Sequence, residues 1–312
     1  MVHGIGRLMG AAGIAAVGAG ALALFSLRPP AFGLRVFPRA KWGPAFIHNA
    51  KTSDGRAVRL LRVGRSVQSA TYLEEDSYAE PVFDYILAFD MVFDAGLPVR
   101  DILMVGGGGC AWPKHVVATR PDVHIDVLEA DPEIIAVARR YFFLDKLDAD
   151  CSPSGSSRLN LICADGEAYL ASLAKKVSAH PGTSHARSWL YGNEARRYDA
   201  IVLDAFKAGE MDSALAGPAV IREAHDCLSE GGVLAANVVA AIEGSGSESL
   251  RAYAHALKAV FRHVYIVPLA SCLSDEGHPS SAASIEEPDN VIVVATDGAY
   301  RGFDCLWEWG RE

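Results

Sequence analysis

What most constrains this chain is a train of short apolar runs separated by stretches with helical spacing. Asp101 to Val105 is the first run; it enters Gly106-Gly107-Gly108-Gly109 and is followed by a predicted helix near Trp112 to Thr119. Val123 to Leu128 ends in Glu129 and precedes a predicted helix from Pro132 to Phe142. Leu159 to Cys163 leads through Ala164-Asp165-Gly166 into a third helix, and Tyr198 to Leu203 ends in Asp204. Val233 to Val238, after the turn Ser229-Glu230-Gly231-Gly232, then His263 to Val267 and Asn290 to Ala295 complete seven strands. Continuous apolar strands need cover on both faces, and alternating helices supply it. The expected fold is therefore α/β: a Rossmann-like, doubly wound, mostly parallel seven-stranded sheet.

The preceding segment follows a different period. Residues 54–73 alternate apolar and polar side chains around Gly64-Arg65, which predicts a small β-hairpin. Residues 80–93 then place Val82, Phe83, Ile86, Leu87, Phe89 and Met91 at helical spacing. Farther upstream, Leu8 to Leu27 carries no charge and is long enough to cross a bilayer as a helix. Arg28, Arg35, Arg39 and Lys41 outnumber Arg7, which favours a membrane anchor with the following domain in the cytoplasm. A cleaved signal peptide is the rival, because Ala19-Gly20-Ala21 and Ala21-Leu22-Ala23 fit small-residue cleavage sites. The expected organisation is a leader over 1–35, a small β domain over 36–78, the sheet domain over 79–298 and a tail over 299–312. Residues 176–196 look like a loop insertion, and Trp307-Glu308-Trp309 like an amphipathic end.

Composition excludes several functions. The 38 acids against 29 Lys and Arg give a formal charge of −9, which argues against a protein that coats nucleic acid. The six cysteines form no Cys-x-x-Cys pair, so reduced thiols are expected. His180 and His185 have no acid or thiol beside them, and no metal site is expected.

Ligands of doubly wound sheets bind beyond the C-terminal strand ends. There Gly106, Gly107, Gly108 and Gly109 let a backbone approach a ligand closely and open a helix whose N–H groups face it. Glu129 follows Gly106 by 23 residues, at a strand end where a carboxylate accepts ribose hydroxyls. Asp165, flanked by Ala164 and Gly166, is placed to accept from an adenine amino group. Singly these features also suit turns and helix caps; in this order they point to adenosine binding. A dinucleotide remains open on these residues, since Gly106-x-Gly108-x-x-Ala111 with Glu129 satisfies that fingerprint too.

The later half discriminates. Tyr198-Asp199-Ala200-Ile201-Val202-Leu203-Asp204, then Cys227-Leu228-Ser229-Glu230-Gly231-Gly232-Val233-Leu234, resembles S-adenosylmethionine-dependent methyltransferases. With the hairpin in front, the stretch from about Gly55 to Thr296 resembles a specific branch of that fold, the spermidine synthase (polyamine aminopropyltransferase) family. Gln68-Ser69 and Glu75-Asp76-Ser77-Tyr78-Ala79-Glu80 look like that family's amine-side motif, although a His usually stands where Ala79 is. Leu128-Glu129-Ala130-Asp131-Pro132 looks like its ribose-binding segment, and Ala164-Asp165-Gly166 like its adenine-binding one. Asp204 matches the first acid of its Asp-x-x-Asp loop.

The resemblance implies aminopropyl transfer from decarboxylated S-adenosylmethionine to a small-molecule amine. Asp204 would act as base with Tyr78, while Gln68, Glu80 and Lys207 would line the substrate side; a homodimer is compatible with it. Two departures bear on specificity. Gly109 stands where the family carries the acid that grips the aminopropyl ammonium, and Lys207 replaces the second loop acid. Methyl transfer from S-adenosylmethionine itself is the alternative, and a membrane-tethered, non-catalytic adenosyl-binding domain is the second.

Overall fold

The computed structural model describes residues 34–64, 66–152, 157–179, 196–207, 210–211, 214–268, 288–301 and 307–309. The apolar stretch Leu8 to Leu27, His180 and His185, and most of the expected insertion lie outside these residues. Among the described residues no helix is long and apolar enough to cross a membrane. Nor does any group of three or more His, Cys, Asp or Glu gather there as a metal site would require.

Four antiparallel strands come first: β1 (Arg35–Phe37), β2 (Ala45–Lys51), β3 (Ala57–Val63) and β4 (Ser66–Tyr72), in the order β1-β2-β3-β4. The expected hairpin is thus β3–β4, extended by two strands whose short or broken alternation concealed them. Residues Asp84–Asp94 form tight 3₁₀ turns rather than the expected α-helix.

The main sheet then follows: β5 (Asp101–Val105), α1 (Ala111–Thr119), β6 (His124–Glu129), α2 (Pro132–Tyr141), α3 (Leu144–Cys151), β7 (Leu159–Cys163), α4 (Gly166–Ala179) and β8 (Tyr198–Leu203). After β8 come β9 (Phe206–Lys207), β10 (Glu210–Met211), α5 (Pro218–Asp226), β11 (Leu228–Ala240), α6 (Glu248–Lys258), β12 (His263–Pro268), β13 (Asp289–Thr296) and β14 (Trp307–Glu308). The order across the sheet is β14-β12-β13-β11-β8-β5-β6-β7. Strands β11, β8, β5, β6 and β7 run parallel, and β13 inserts antiparallel between β11 and β12. The seven expected strands are present. Trp307–Glu308, expected as part of an amphipathic end, adds a two-residue edge strand against β12.

Alternation within the apolar strands fills two cores. Ile102, Met104, Ala200 and Val202 face α1, α3 and the 3₁₀ turns. Leu103, Val105, Ile201 and Leu203 face α4, α5 and α6. A single change of backbone sign separates α2 from α3: Phe143 adopts φ 65°, a left-handed conformation that ends one helix and starts the next.

The small sheet is fastened onto this body by polar contacts as well as packing. Ile47 and Leu61 bury against Ile134, Val137 and Phe142 of the α2 region. Asp131 caps α2 through the Glu133 N–H and also accepts from the Lys41 N–H. Lys114 of α1, 1% exposed, donates from Nζ to Thr71 Oγ1 (2.8 Å) and to the Tyr78 carbonyl (2.9 Å). Burial pushes the Lys114 ammonium down to about 7.

Candidate active site

The C-terminal ends of β5, β6, β7 and β8 meet at one crevice, stitched by their own backbone. The Gly106 N–H donates to the Leu128 carbonyl (3.0 Å), the Asp204 N–H to Val105 (2.9 Å) and the Ala164 N–H to Glu129 (3.1 Å). Strand β5 sits between β6 and β8, which is where the strand order reverses, so this crevice is the topological switch point. The glycine run turns sharply here. Gly106 has φ 94°, and a Cβ on it would collide with the Asp204 carbonyl. Cys110, which opens α1, is held at φ 54°, a left-handed position that costs an L-residue about 1–2 kcal/mol.

Glu129 closes the loop from the side. Its Oε2 accepts from the Gly108 N–H (3.0 Å) and its Oε1 from the Asp131 N–H (3.0 Å). Burial raises the carboxyl, and the surrounding N–H groups, Gly108 first, pull against it. Each oxygen keeps a further lone-pair site, so ribose hydroxyls can be accepted without breaking these bonds. Asp165 is exposed and caps α4 through the Ala168 N–H (3.2 Å). Gly166 starts that helix, and a Cβ there would strike the Val105 side chain.

Asp204 leaves the end of β8, and its Oδ1 accepts from Asn237 Nδ2 (3.0 Å). The same amide donates to Asn290 Oδ1 (3.1 Å), while its own Oδ1 is buried with no partner among the described residues. Burial drives Asp204 up to about 6, with the Asn237 bond opposing. Tyr85, from the 3₁₀ turns, lies in the field of Asp204; burial, then that charge, hold its phenol well above the usual range.

Asn237, Asn290 and Tyr85 were not among the expected site residues. A signal existed for Asn237: a lone amide inside the apolar run of β11 must find a partner or lose stability. Tyr85 carries no comparable mark, because an aromatic at helical spacing reads as core.

The small sheet roofs the glycine loop. Gln68 is the extra residue of a β-bulge, since Leu61 pairs with Ser69 and Arg62 with Val67. Such bulges re-aim a side chain. The Gln68 carbonyl would stand 3.6 Å from a Cβ on Gly108. A Cβ on Gly109 would meet Phe142 Cδ1 at 2.6 Å and Ser69 Oγ at 2.7 Å, so any side chain here has to displace one of these two.

Three expected residues have other surroundings. Tyr78 is buried and its hydroxyl donates to Asp150 Oδ2 of α3 (2.8 Å). Glu80 pairs with Arg56 at the surface (3.0 Å). Lys207 ends β9, which pairs with β10, and its side chain lies outside the described residues. The structure therefore gathers Gly106 to Gly109, Glu129, Ala164, Asp165, Gly166, Gln68 and Asp204 around one crevice. It gives Tyr78 and Glu80 partners of their own.

No protein-family model matches the chain. Its sequence is 28% identical over 136 residues to a polyamine aminopropyltransferase of Vibrio vulnificus, covering 44% of this chain and 36% of that protein. It is 26% identical over 188 residues to a polyamine aminopropyltransferase of Neisseria meningitidis, covering 59% of each. The matches thus take in between about a third and three-fifths of the curated relatives' length. In fold it is similar to a probable spermidine synthase from Corynebacterium glutamicum, with a TM-score of 0.60 and 17% identity over 87% of this chain and 82% of that one. It is also similar to the spermidine synthase of Thermotoga maritima, with a TM-score of 0.52 and 17% identity over 85% and 73%.

Proposed function

We propose that this protein is a spermidine-synthase-like transferase that moves an aminopropyl group from decarboxylated S-adenosylmethionine to an amine, forming a polyamine. The observation that carries this reading is Asp204: a carboxylate at the switch point, raised to about 6 and oriented by Asn237, beside the glycine loop and Glu129. The related polyamine aminopropyltransferases support the same choice.

The chemistry asks little beyond positioning and one proton. The neutral amine nitrogen attacks the aminopropyl carbon bonded to the sulfonium sulfur. The C–N bond forms as the C–S bond breaks, and the electron pair returns to sulfur, leaving methylthioadenosine. The nitrogen's surplus proton passes to Asp204. A carboxylate raised to about 6 is still ionised at neutral pH and accepts a proton more readily than an ordinary aspartate. Glu129 would hold the ribose and Asp165 the adenine, with Gln68 on the acceptor side.

Methyl transfer from S-adenosylmethionine is favoured by one feature. Phe142 and Ser69 close off Gly109, so no acid there grips an aminopropyl ammonium. Product analysis separates the two. The full-length protein with decarboxylated donor and a short aliphatic diamine should release methylthioadenosine and aminopropylated amine in equal amounts. Release of S-adenosylhomocysteine from S-adenosylmethionine would select the methyltransferase instead, and no product from either donor would leave only a binding role.

A further inference from the structure

Charge in this acidic chain is distributed unevenly. Residues 34–63, which span β1 to β3, hold seven Lys and Arg against the single acid Asp54, while the whole chain carries −9. Arg35 and Arg59 share one face of the small sheet, and Arg140 sits in the last turn of α2. All three crowd one ring: their guanidinium carbons lie 5.3, 5.9 and 5.4 Å from the Tyr141 centroid.

None of the three forms an ion pair with a carboxylate among the described residues. Arg59 binds only neutral oxygens, Asn49 Oδ1 (3.1 Å) and the Tyr141 carbonyl (2.8 Å). Burial and then the Arg35 charge press its guanidinium below its usual range. Like charges gathered without a counter-charge leave a standing positive potential, and Arg35 and Arg140 present it at the exposed surface.

The seam between the small sheet and α2 extends this face. The chain runs from Arg35, beside Tyr141 at one end of α2, to Lys41, whose N–H meets Asp131 at the other end. Along it Val36 and Trp42 are each 50% exposed, and the Lys41 ammonium lies 4.7 Å from the Trp42 ring centroid. Cations beside an exposed indole and an exposed aliphatic side chain match a lipid interface, where phosphates meet the cations and the indole sits at headgroup depth. A nucleic-acid backbone would satisfy the charges but not the apolar pair. By sequence, the uncharged run Leu8 to Leu27 ends eight residues before Arg35, a tether of at most about 28 Å. A bilayer entered by that run therefore lies within reach of this face.

We propose that the face built from Arg35, Arg140, Tyr141, Lys41 and Trp42 docks on the anionic headgroups of a membrane leaflet and sets the orientation of the sheet domain against it.

The test is a partition experiment with the full-length chain. Vesicles of phosphatidylcholine alone are compared with vesicles in which about one third of the lipid is phosphatidylglycerol. Any partition of the apolar run adds to both, so the ratio between them isolates the docking face. Each arginine near an anionic surface contributes about a fivefold preference, so Arg35→Gln with Arg140→Gln should lower the ratio roughly 25-fold. Removing the same two charges from exposed helix positions, Arg222→Gln with Arg251→Gln, should leave it unchanged. Trp42→Ser should lower it without altering net charge, and high salt should abolish it. Equal binding to both vesicle types would overturn the proposal. So would a ratio that survives loss of Arg35 and Arg140, or one that falls equally in the charge-matched control.

Discussion

Replacing Asp204 with Asn should stabilise the fold while removing its activity. Burial raises this carboxyl from 3.8 to about 6, and the Asn237 hydrogen bond offsets only part of that rise. A carboxyl with a raised folded pKa binds its proton more tightly when folded. Its contribution is therefore most favourable at low pH, declines as pH rises from about 4 to 6, and is level above that. The shift of about two units corresponds to about 3 kcal/mol that the ionised group costs at pH 8, and about half as much at pH 5. Asn has nearly the same shape, still offers Oδ1 to Asn237 and carries no charge to desolvate. Urea unfolding followed by circular dichroism should show Asp204→Asn more stable than the parent by about 2–3 kcal/mol at pH 8, the gain shrinking towards pH 4. Turnover should fall at least about a hundredfold, as for loss of a general base. A variant that is less stable at pH 8, or whose gain does not vary with pH, would refute the reasoning and make Asp204 an ordinary loop cap.

Asn237→Ala removes the bond that holds Asp204 down, so the acid limb of the kcat/KM profile should move above pH 6; an unmoved limb would show that the pair is not coupled. Glu129→Gln should weaken binding of an adenosyl ligand about ten- to a hundredfold in calorimetry, since a charge-assisted bond contributes about 1.5–3 kcal/mol. The loop N–H groups that Glu129 holds would also lose their charged acceptor. Gly109→Ala should destabilise the chain by about 1–3 kcal/mol in urea, because its Cβ meets Phe142 and Ser69. Phe142→Leu in the same chain should restore part of that loss.

The main sheet was legible because its strands are buried on both faces and announce themselves as unbroken apolar runs; β5, β7 and β8 begin and end where the sequence placed them. The small sheet was half legible. Strands β3 and β4 alternate cleanly, but β1 has only three residues and β2 carries His48 and Asn49 side by side. The break at Phe143 was hidden, because a left-handed aromatic has no sequence signature.

The crevice was readable through residues that follow strands directly. Glu129, Asp165 and Asp204 are fixed by strand ends, whereas Asn237 and Asn290 reach the site from within β11 and β13, so topology rather than spacing brings them there. The surroundings of Tyr78 and Glu80 depend on Asp150 and Arg56, contacts that join separate elements and that no local pattern encodes. At Gly109 the sequence showed a missing acid; the structure adds that Phe142 and Ser69 crowd the position against any side chain.

Calorimetric titration of the full-length protein with decarboxylated S-adenosylmethionine and with S-adenosylmethionine is the most direct test of the central claim. An acidic crevice formed by Asp204 and Glu129 repels a second carboxylate, so the account predicts tighter binding of the decarboxylated form, by about tenfold or more. Equal or tighter binding of S-adenosylmethionine, or binding of neither, would contradict it.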